Sequence, residues 1–280
     1  MTALGILLGL LSATVFGVAA VLQAHAVRRL DTSPDRLTGF VTGSVRDLRT
    51  MLVVLAYLVG FVLHAAAIWL LPLYLAQALV AMSLPVTTLF SRRVEDAPDR
   101  GVWVAVGLIT AGLVLLSLGA GEAGDPVTTT PFALALWAGV AALLVASMVG
   151  RHLPGPVLGL LAGLGYAGSA ISVRGVGTPV DAVVFVAALA VPAYGLVAFW
   201  LYSLGMHRAA VPSTTAALIV AQTFVPAAVG VALLGDGVRE GWWPAVIAGL
   251  LLATFGAAVL GAGRAQKSRL AGDALNDASL

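Results

Sequence analysis

Eight stretches of this chain contain no Asp, Glu, Lys or Arg, and each of them is longer than 20 residues. A membrane-spanning helix needs about 20 predominantly apolar residues, because it must cross the hydrocarbon with its backbone polar groups bonded internally. A soluble domain has about 25% charged residues, whereas this chain has 10% and a mean hydropathy of +1.02. The pattern therefore predicts an all-α, polytopic membrane protein.

Seven of these stretches fit one helix each, and the longest fits two helices separated by a turn at Leu71 and Pro72. We therefore expect about nine transmembrane helices, with ten as the open alternative. Their expected positions are roughly 3–27, 51–70, 73–90, 101–120, 131–149, 155–173, 182–204, 212–234 and 243–263.

Two parts of the chain repeat one order of proline, glutamine, proline, acidic residue and tryptophan. The copies are Pro72, Gln77, Pro85, Glu95, Trp103 and Pro212, Gln222, Pro226, Asp236, Trp243. Five helices separate equivalent members, so the repeats cross the membrane in opposite directions, as in many transporters. The predicted organisation is a first repeat at 1–120 (helices 1–4), a linking helix 5 at 121–150, a second repeat at 151–263 (helices 6–9) and a cytoplasmic tail at 264–280.

The distribution of basic residues predicts the orientation, because cytoplasmic loops carry an excess of Lys and Arg. With the N-terminus outside, 13 of the 15 Lys and Arg residues fall on the cytoplasmic side, and only Arg174 and Arg239 fall outside. We therefore expect a multi-pass protein of the plasma (inner) membrane whose C-terminus is cytoplasmic.

No charged residue lies near the middle of any predicted helix, although charges inside a membrane commonly mark ion and proton paths. Polar and aromatic side chains are therefore the candidates for contacts with a substrate. A buried amide or imidazole needs a hydrogen-bonding partner, which either a substrate or a neighbouring helix supplies. The candidate substrate-binding residues are His64, Gln77, Tyr166, Ser169, Tyr194 and Gln222.

Signatures of enzymes are absent from the sequence, which has no P-loop, no Gly-x-Ser-x-Gly motif and no His-Glu-x-x-His motif. It also has no cysteine, which excludes thiolate metal sites. The basic residues lie in short loops, so nucleic acid is not an expected partner. We expect a protein that is not an enzyme and that has no catalytic residue, cofactor or metal site.

The repeated unit resembles the drug/metabolite transporter superfamily, and in particular its EamA-like members. The resemblance rests on a proline-containing helix, a loop with an acidic residue (LLGD at 233–236) and Gly-rich last helices, VAVGLITAGLVLLSLG and VIAGLLLATFGAAVLG. It implies inverted repeats around a central cavity, here bounded by predicted helices 1, 2, 3, 6, 7 and 8. The similar small multidrug resistance proteins use a Glu in their first helix, which is missing here and argues against proton-coupled export of cationic drugs.

The expected function is the movement of a small neutral or zwitterionic organic solute, such as a metabolite, amino acid or drug, by alternating access. A divalent-cation (magnesium-type) transporter or channel is one alternative, because the magnesium-transporter-like branch of the superfamily often has nine helices. Against it, Mg²⁺ prefers hard oxygen ligands including carboxylates. A non-transporting membrane scaffold or accessory subunit is the second alternative. The expected partners are a small-molecule substrate and membrane lipid, and a homodimer is left open.

Overall fold

The structure, a computed structural model, describes residues 2–28, 47–91, 100–125, 128–177, 179–209, 211–256 and 258–259. Within these residues the backbone is helical apart from short connections and one antiparallel bridge between Ala120 and Val238. The all-α prediction is confirmed. The predicted tail at 264–280 lies outside the described residues.

Each predicted helix coincides with helical backbone in the described part of the chain. The helices are α1 (Thr2–Arg28), α2 (Leu48–Leu70), α3 (Leu73–Val80), α4 (Ser83–Ser91), α5 (Arg100–Leu118), α6 (Thr130–Gly150), α7 (Gly155–Gly175), α8 (Ala182–Arg208), α9 (Val211–Leu233) and α10 (Trp243–Gly256). Six of them, α1, α2, α6, α7, α8 and α9, are long and apolar enough to cross a membrane. The other predicted helices contain shorter apolar stretches, Leu73–Thr87, Trp103–Leu116 and Trp243–Gly256.

The outer surface of the bundle is strongly apolar. Leu55, Leu134, Val149 and Leu251 are each more than half exposed. Contiguous apolar surface of this kind is an aggregation liability in water, whereas acyl chains cover it in a bilayer. The helix set and this surface together describe a multi-pass membrane protein.

Charged caps mark where two of the long helices begin. Asp47 precedes α2 and accepts hydrogen bonds from the Thr50 backbone N–H at 3.0 Å and the Thr50 hydroxyl at 2.7 Å. These bonds, led by the one from the Thr50 side chain, lower the pKa of the Asp47 carboxyl. Asp181 caps α8 in the same way, accepting from the Val184 N–H at 2.8 Å. Each cap satisfies N–H groups that a helix start leaves unpaired.

The third predicted helix, 73–90, is not continuous, which corrects the prediction of a single kinked helix there. A turn at Ala81 and Met82 separates α3 from α4. The N–H groups of these two residues bond three residues back, to Ala78 and Leu79, at 3.0 and 3.1 Å. Pro85 has no N–H to donate to the Ala81 carbonyl, so the regular ladder cannot pass through this point. By contrast, Pro226 lies inside the unbroken α9.

Rows of glycine bring two pairs of helices into close parallel contact. On α1, a Cβ added at Gly9 would lie 2.6 Å from Leu79, and one at Gly17 would lie 2.7 Å from the Ser83 carbonyl oxygen. On α7, Gly159 and Gly163 lie against the backbone carbonyls of Thr214 and Leu218 on α9. Small residues allow this approach of one backbone to another, so α1 packs along α3–α4 and α7 packs along α9.

The helices α5 and α10 are also joined through glycine, but they run in opposite directions. A Cβ added at Gly112 would lie 2.6 Å from the Gly249 carbonyl oxygen, and one at Gly249 would lie 2.8 Å from the Gly112 carbonyl oxygen. Further along α10, Gly256 lies against Ala105 of α5. Residue numbers thus rise along one helix as they fall along the other.

The two ends of the bundle are named here after one residue at each. At the Arg174 end, α2, α5, α7 and α9 finish and α3, α6, α8 and α10 begin. The Thr128 hydroxyl there donates to the Gly175 carbonyl at 2.9 Å. At the Arg208 end, the Arg208 guanidinium donates to the carbonyl of Arg151, which joins the end of α8 to the connection between α6 and α7.

Candidate functional site

A cavity of about 600 Å³ lies inside the bundle, and residues of α1, α2, α3, α4, α7, α8 and α9 line it. These are the helices that the sequence predicts around a central cavity. The volume falls in the usual range for small-molecule sites, about 300–1,000 Å³. None of the lining residues is Asp, Glu, Lys or Arg.

Aromatic rings form much of the cavity wall. The lining aromatic residues are Phe16, Tyr57, Phe61, Tyr166, Phe199 and Tyr202. Phe16 lies beside Tyr57 with ring centroids 5.8 Å apart, and Tyr57 meets Phe199 edge-to-face at 5.4 Å. Such rings present a large apolar area that is held rigidly by its neighbours. The cavity is therefore suited to an apolar body.

Two of the predicted polar residues are paired with each other. The Gln77 amide nitrogen lies 3.1 Å from His64 Nε2, and both side chains are buried. The roles of donor and acceptor in this contact depend on the imidazole tautomer. In the described residues Nδ1 has no hydrogen-bond partner. The pair joins α2 to α3 at the cavity wall.

Gln222 presents a different situation. It lines the cavity from α9 and is 7% exposed, and the structure describes no hydrogen bond of its side chain, although its amide is not among the fully covered polar atoms that lack a partner. An amide that lines a cavity can bond to water or to a solute there. Gln222 is therefore a polar candidate for contact with a ligand.

Hydroxyl groups complete the polar part of the wall. Ser169 donates to the Val191 carbonyl at 3.3 Å, and the Tyr202 and Thr215 hydroxyls lie 2.5 Å apart. The hydroxyls of Tyr57 and Tyr166 are covered in this conformation and have no partner in the described part of the chain. A small movement of the surrounding helices would expose them to a ligand.

Tyr194 lies apart from the other five predicted site residues. Its hydroxyl donates to the Leu136 carbonyl of α6 at 2.9 Å, and its ring packs against Gly168. It is not among the residues that line the cavity. The structure thus brings His64, Gln77, Tyr166, Ser169 and Gln222 together and places Tyr194 in the contact between α6 and α8.

The residues that sequence reasoning missed form a buried ion pair at the Arg174 end. Arg174 donates to Asp236 at 2.6 Å and to the Ile68 carbonyl at 2.8 Å. Asp236 also accepts from the backbone N–H groups of Leu73 at 2.5 Å and Gly124 at 3.0 Å. Both side chains are almost fully buried. One pair of charges therefore joins the ends of α2, α7 and α9 to the start of α3 and the connection after α5.

The sequence carried two signals of this pair. In the predicted topology Arg174 is one of the two basic residues on the outer side of the membrane, and Asp236 is the acidic residue of LLGD. Both were assigned to exposed loops, because neither lies near the middle of a predicted helix. Residues at helix ends were expected to be solvated, whereas the structure buries these two side chains.

Further contacts close the same end of the bundle. The Tyr74 hydroxyl donates to the Gly237 carbonyl at 3.2 Å, and the Trp69 indole donates to the Val173 carbonyl at 3.3 Å. Every residue from Leu71 to Ala81 is buried. Together with the ion pair, these contacts separate the cavity from the Arg174 end.

A polar contact also joins the two halves of the chain near the opposite end. The Gln23 amide on α1 donates to the Ser203 hydroxyl on α8 at 2.5 Å, and both residues are buried. The cavity lining extends to Met51 and Thr215, each within about 6 Å of the Arg208 end at 1.5 Å per residue. This contact between neutral side chains differs in kind from the ion pair at the Arg174 end.

Among the described residues no group of three or more His, Cys, Asp or Glu side chains is placed to hold a metal ion. Comparisons with protein-family models, with curated proteins and with solved structures found no match.

Proposed function

We propose that this protein is a transporter that moves a small neutral or zwitterionic organic solute across the membrane by alternating access. The observation that carries the proposal is the cavity between the two halves of the chain. It has the volume of a small-molecule site, lies at the centre of a set of membrane-spanning helices and is lined by the amide of Gln222.

The contacts at the two ends of the cavity support an alternating mechanism. The Arg174–Asp236 pair joins helices of both halves at one end, and the Gln23–Ser203 hydrogen bond joins both halves at the other. A transporter needs to open one end while it keeps the other closed. A neutral hydrogen bond contributes about 1 kcal/mol, while opening an ion pair breaks several charge-assisted bonds. Of these two contacts between described residues, the Gln23–Ser203 bond is the easier one to break, and in this proposal the Arg208 end opens first from this conformation.

Helix packing supports the inverted-repeat organisation in which such mechanisms arise. The first predicted repeat has α1 parallel to α3–α4, and the second has α7 parallel to α9. The last helices of the two repeats, α5 and α10, are antiparallel. Equivalent helices that run in opposite directions are what inversion of the second repeat requires. The helical turn at Ala81 and Met82 in the first repeat adds an interrupted helix beside the cavity, another feature of transporter sites.

In this proposal the distribution of Lys and Arg residues determines the orientation of the protein in the membrane. The Arg208 end faces the cytoplasm and the Arg174 end faces outward, which places the protein in the plasma (inner) membrane with an external N-terminus. Arg174 lies on the outer side in this orientation, where its charge is paired with that of Asp236. The proposed family, the EamA-like transporters, rests on the sequence motifs alone.

The cavity chemistry favours an organic solute over a divalent cation. A cation site would be expected to offer carboxylates or a dense set of carbonyl oxygens, whereas the lining residues include no acidic side chain and six aromatic ones. Substrate contacts are assigned to Gln222, to the His64–Gln77 pair and to the hydroxyls of Ser169 and Tyr166.

The test is a thermal-shift screen of the purified protein against uncharged and zwitterionic metabolites, followed by counterflow of each hit in proteoliposomes. The proposal predicts saturable counterflow that Gln222→Leu weakens. Stabilisation by divalent cations alone, or counterflow no faster than in empty liposomes for every hit, would refute it.

A further inference from the structure

The cavity reaches the flank of the bundle between α2 and α8. Its lining includes Leu58 of α2, which is 55% exposed, and Leu196 of α8, which is 46% exposed. Pro192 of α8 also lines the cavity and is exposed. Residues that both line a cavity and face outward mark the place where the cavity meets the surface.

This opening lies at the depth of the membrane core. At 1.5 Å per residue, Leu58 is about 15 Å from the start of α2 and about 18 Å from its end. Leu196 is about 21 Å from the start of α8 and about 18 Å from its end. The hydrocarbon layer is about 30 Å thick, so both residues face acyl chains and not water.

The backbone leaves room for such an opening. In the described part of the chain, α2 packs along α1 and α8 packs along α7, whereas α2 and α8 do not pack along each other. Among the ring contacts of the described residues, the one that joins α2 to α8 at the cavity wall is the edge-to-face contact between Tyr57 and Phe199. A Cβ added at Gly195 on α8 would meet no atom within 4 Å.

Polar contacts between the two halves of the chain lie toward both ends of the cavity in this conformation. The Arg174–Asp236 pair lies at one end, and the Gln23–Ser203 hydrogen bond lies about 7.5 Å from the other, at 1.5 Å per residue. The exposed residues that line the side opening, Leu58, Pro192 and Leu196, all have apolar side chains. A solute that dissolves in the bilayer can therefore reach the cavity without breaking either contact.

We propose that the cavity takes its solute laterally from the bilayer, through the opening between α2 and α8, and that this solute is an uncharged amphiphile. Its hydrocarbon or ring body would contact the aromatic wall, and one neutral hydrogen-bonding group would bond to the Gln222 amide that lines the cavity. A charged group would have no counter-charge among the lining residues. This inference rests on the proposed function and specifies its substrate class and route.

The test uses two photoreactive probes on the full-length protein in lipid nanodiscs. The first is a long-chain alcohol with a mid-chain diazirine, which dissolves in the bilayer, and the second is the water-soluble diazirine analogue of leucine. Mass spectrometry then measures adducts on the cavity residues Phe199 and Tyr166. Adducts on the exposed Leu134 serve as the internal standard for lipid contact.

Gly195→Leu is the informative variant, because its side chain would fill open space at the rim. Gly107→Leu is the matched control, since a Cβ there also meets nothing within 4 Å, but Gly107 lies on α5 and does not line the cavity. We expect the alcohol to label the cavity in the unmodified protein and in Gly107→Leu. We expect cavity labelling to be lost in Gly195→Leu while labelling of Leu134 is unchanged.

Three results would overturn the inference. If the alcohol labels the cavity equally in Gly195→Leu, the solute arrives by another route. If only the leucine analogue labels the cavity, the lateral route fails while the proposed transport of a polar solute stands. Labelling of the cavity by neither probe would remove support from both.

Discussion

Arg174 on α7 and Asp236 after α9 form a salt bridge of 2.6 Å in which both side chains are nearly inaccessible to solvent. Asp236 is also held by the backbone N–H groups of Leu73 and Gly124, and Arg174 by the carbonyl of Ile68. The pair therefore fixes the relative positions of helices from both halves of the chain. It is the best-connected polar contact at the closed end of the cavity.

Breaking this pair from one side should be strongly destabilising. Arg174→Leu leaves a buried, uncompensated carboxylate, which typically costs about 3–5 kcal/mol. Adding Asp236→Asn neutralises that carboxylate and keeps an oxygen for the Leu73 N–H, so the double variant should recover part of the loss. Thermal unfolding in detergent measures both. Losses that simply add in the double variant would mean that the two charges are not energetically coupled.

The two glutamines of the cavity should behave differently. Gln77→Leu leaves His64 Nε2 without its partner and should cost about 1–3 kcal/mol of stability. Gln222→Leu removes an amide that has no partner in the described residues, so stability should be unchanged or higher. It should weaken binding of a ligand found by thermal-shift screening by about 1 kcal/mol, or about fivefold. Equal loss of stability in both variants would place Gln222 in a structural role.

The contact between α5 and α10 predicts that alanine at two glycines of α5 changes the stability of the protein in opposite directions. Gly112→Ala should be destabilising, although alanine favours helix, because its Cβ would lie 2.6 Å from the Gly249 carbonyl oxygen. Gly107→Ala meets open space and should stabilise by about 0.5–1 kcal/mol. Melting temperatures of the two variants in the same detergent make the comparison, and similar shifts at both positions would contradict the packing.

Orientation is tested with single cysteines, since the chain has none of its own. Ala123 lies in the connection at the Arg174 end, and His152 lies in the connection at the Arg208 end. In intact cells an impermeant maleimide should label Ala123→Cys, and it should label His152→Cys only after permeabilisation. The reverse pattern would invert the proposed topology.

The sequence was informative about helices, because a long apolar run has few stable states other than a spanning helix. The sequence did not predict the break at Ala81 and Met82, because Pro85 is compatible with either a kink in one helix or the start of a new helix. Five of the six candidate site residues line the cavity because polar side chains within apolar helices need somewhere to be satisfied. The Tyr194 hydroxyl instead donates to a backbone carbonyl of α6, and no sequence pattern predicts such a contact.

The ion pair shows the limit of the same reasoning. A charge at a helix end is normally solvated, and only the folded arrangement brings Arg174 and Asp236, 62 residues apart in the chain, into one buried contact. Likewise, the opening between α2 and α8 depends on which helices fail to pack together. Such a property belongs to the assembled bundle and to no single segment.

Side-specific access to the cavity tests the alternating mechanism most directly. Ser83 lines the cavity near mid-depth, so Ser83→Cys is a reporter that changes the side chain little. In sealed vesicles of both orientations, an impermeant methanethiosulfonate should reach it mainly from the Arg208 end. Adding Ser203→Ala, which removes the Gln23 contact, should increase that access, whereas adding Asp236→Asn should move access to the Arg174 end, because opening hydrates the unpaired Arg174 charge. Simultaneous access from both ends, or access from neither end in all three proteins, would contradict alternating access.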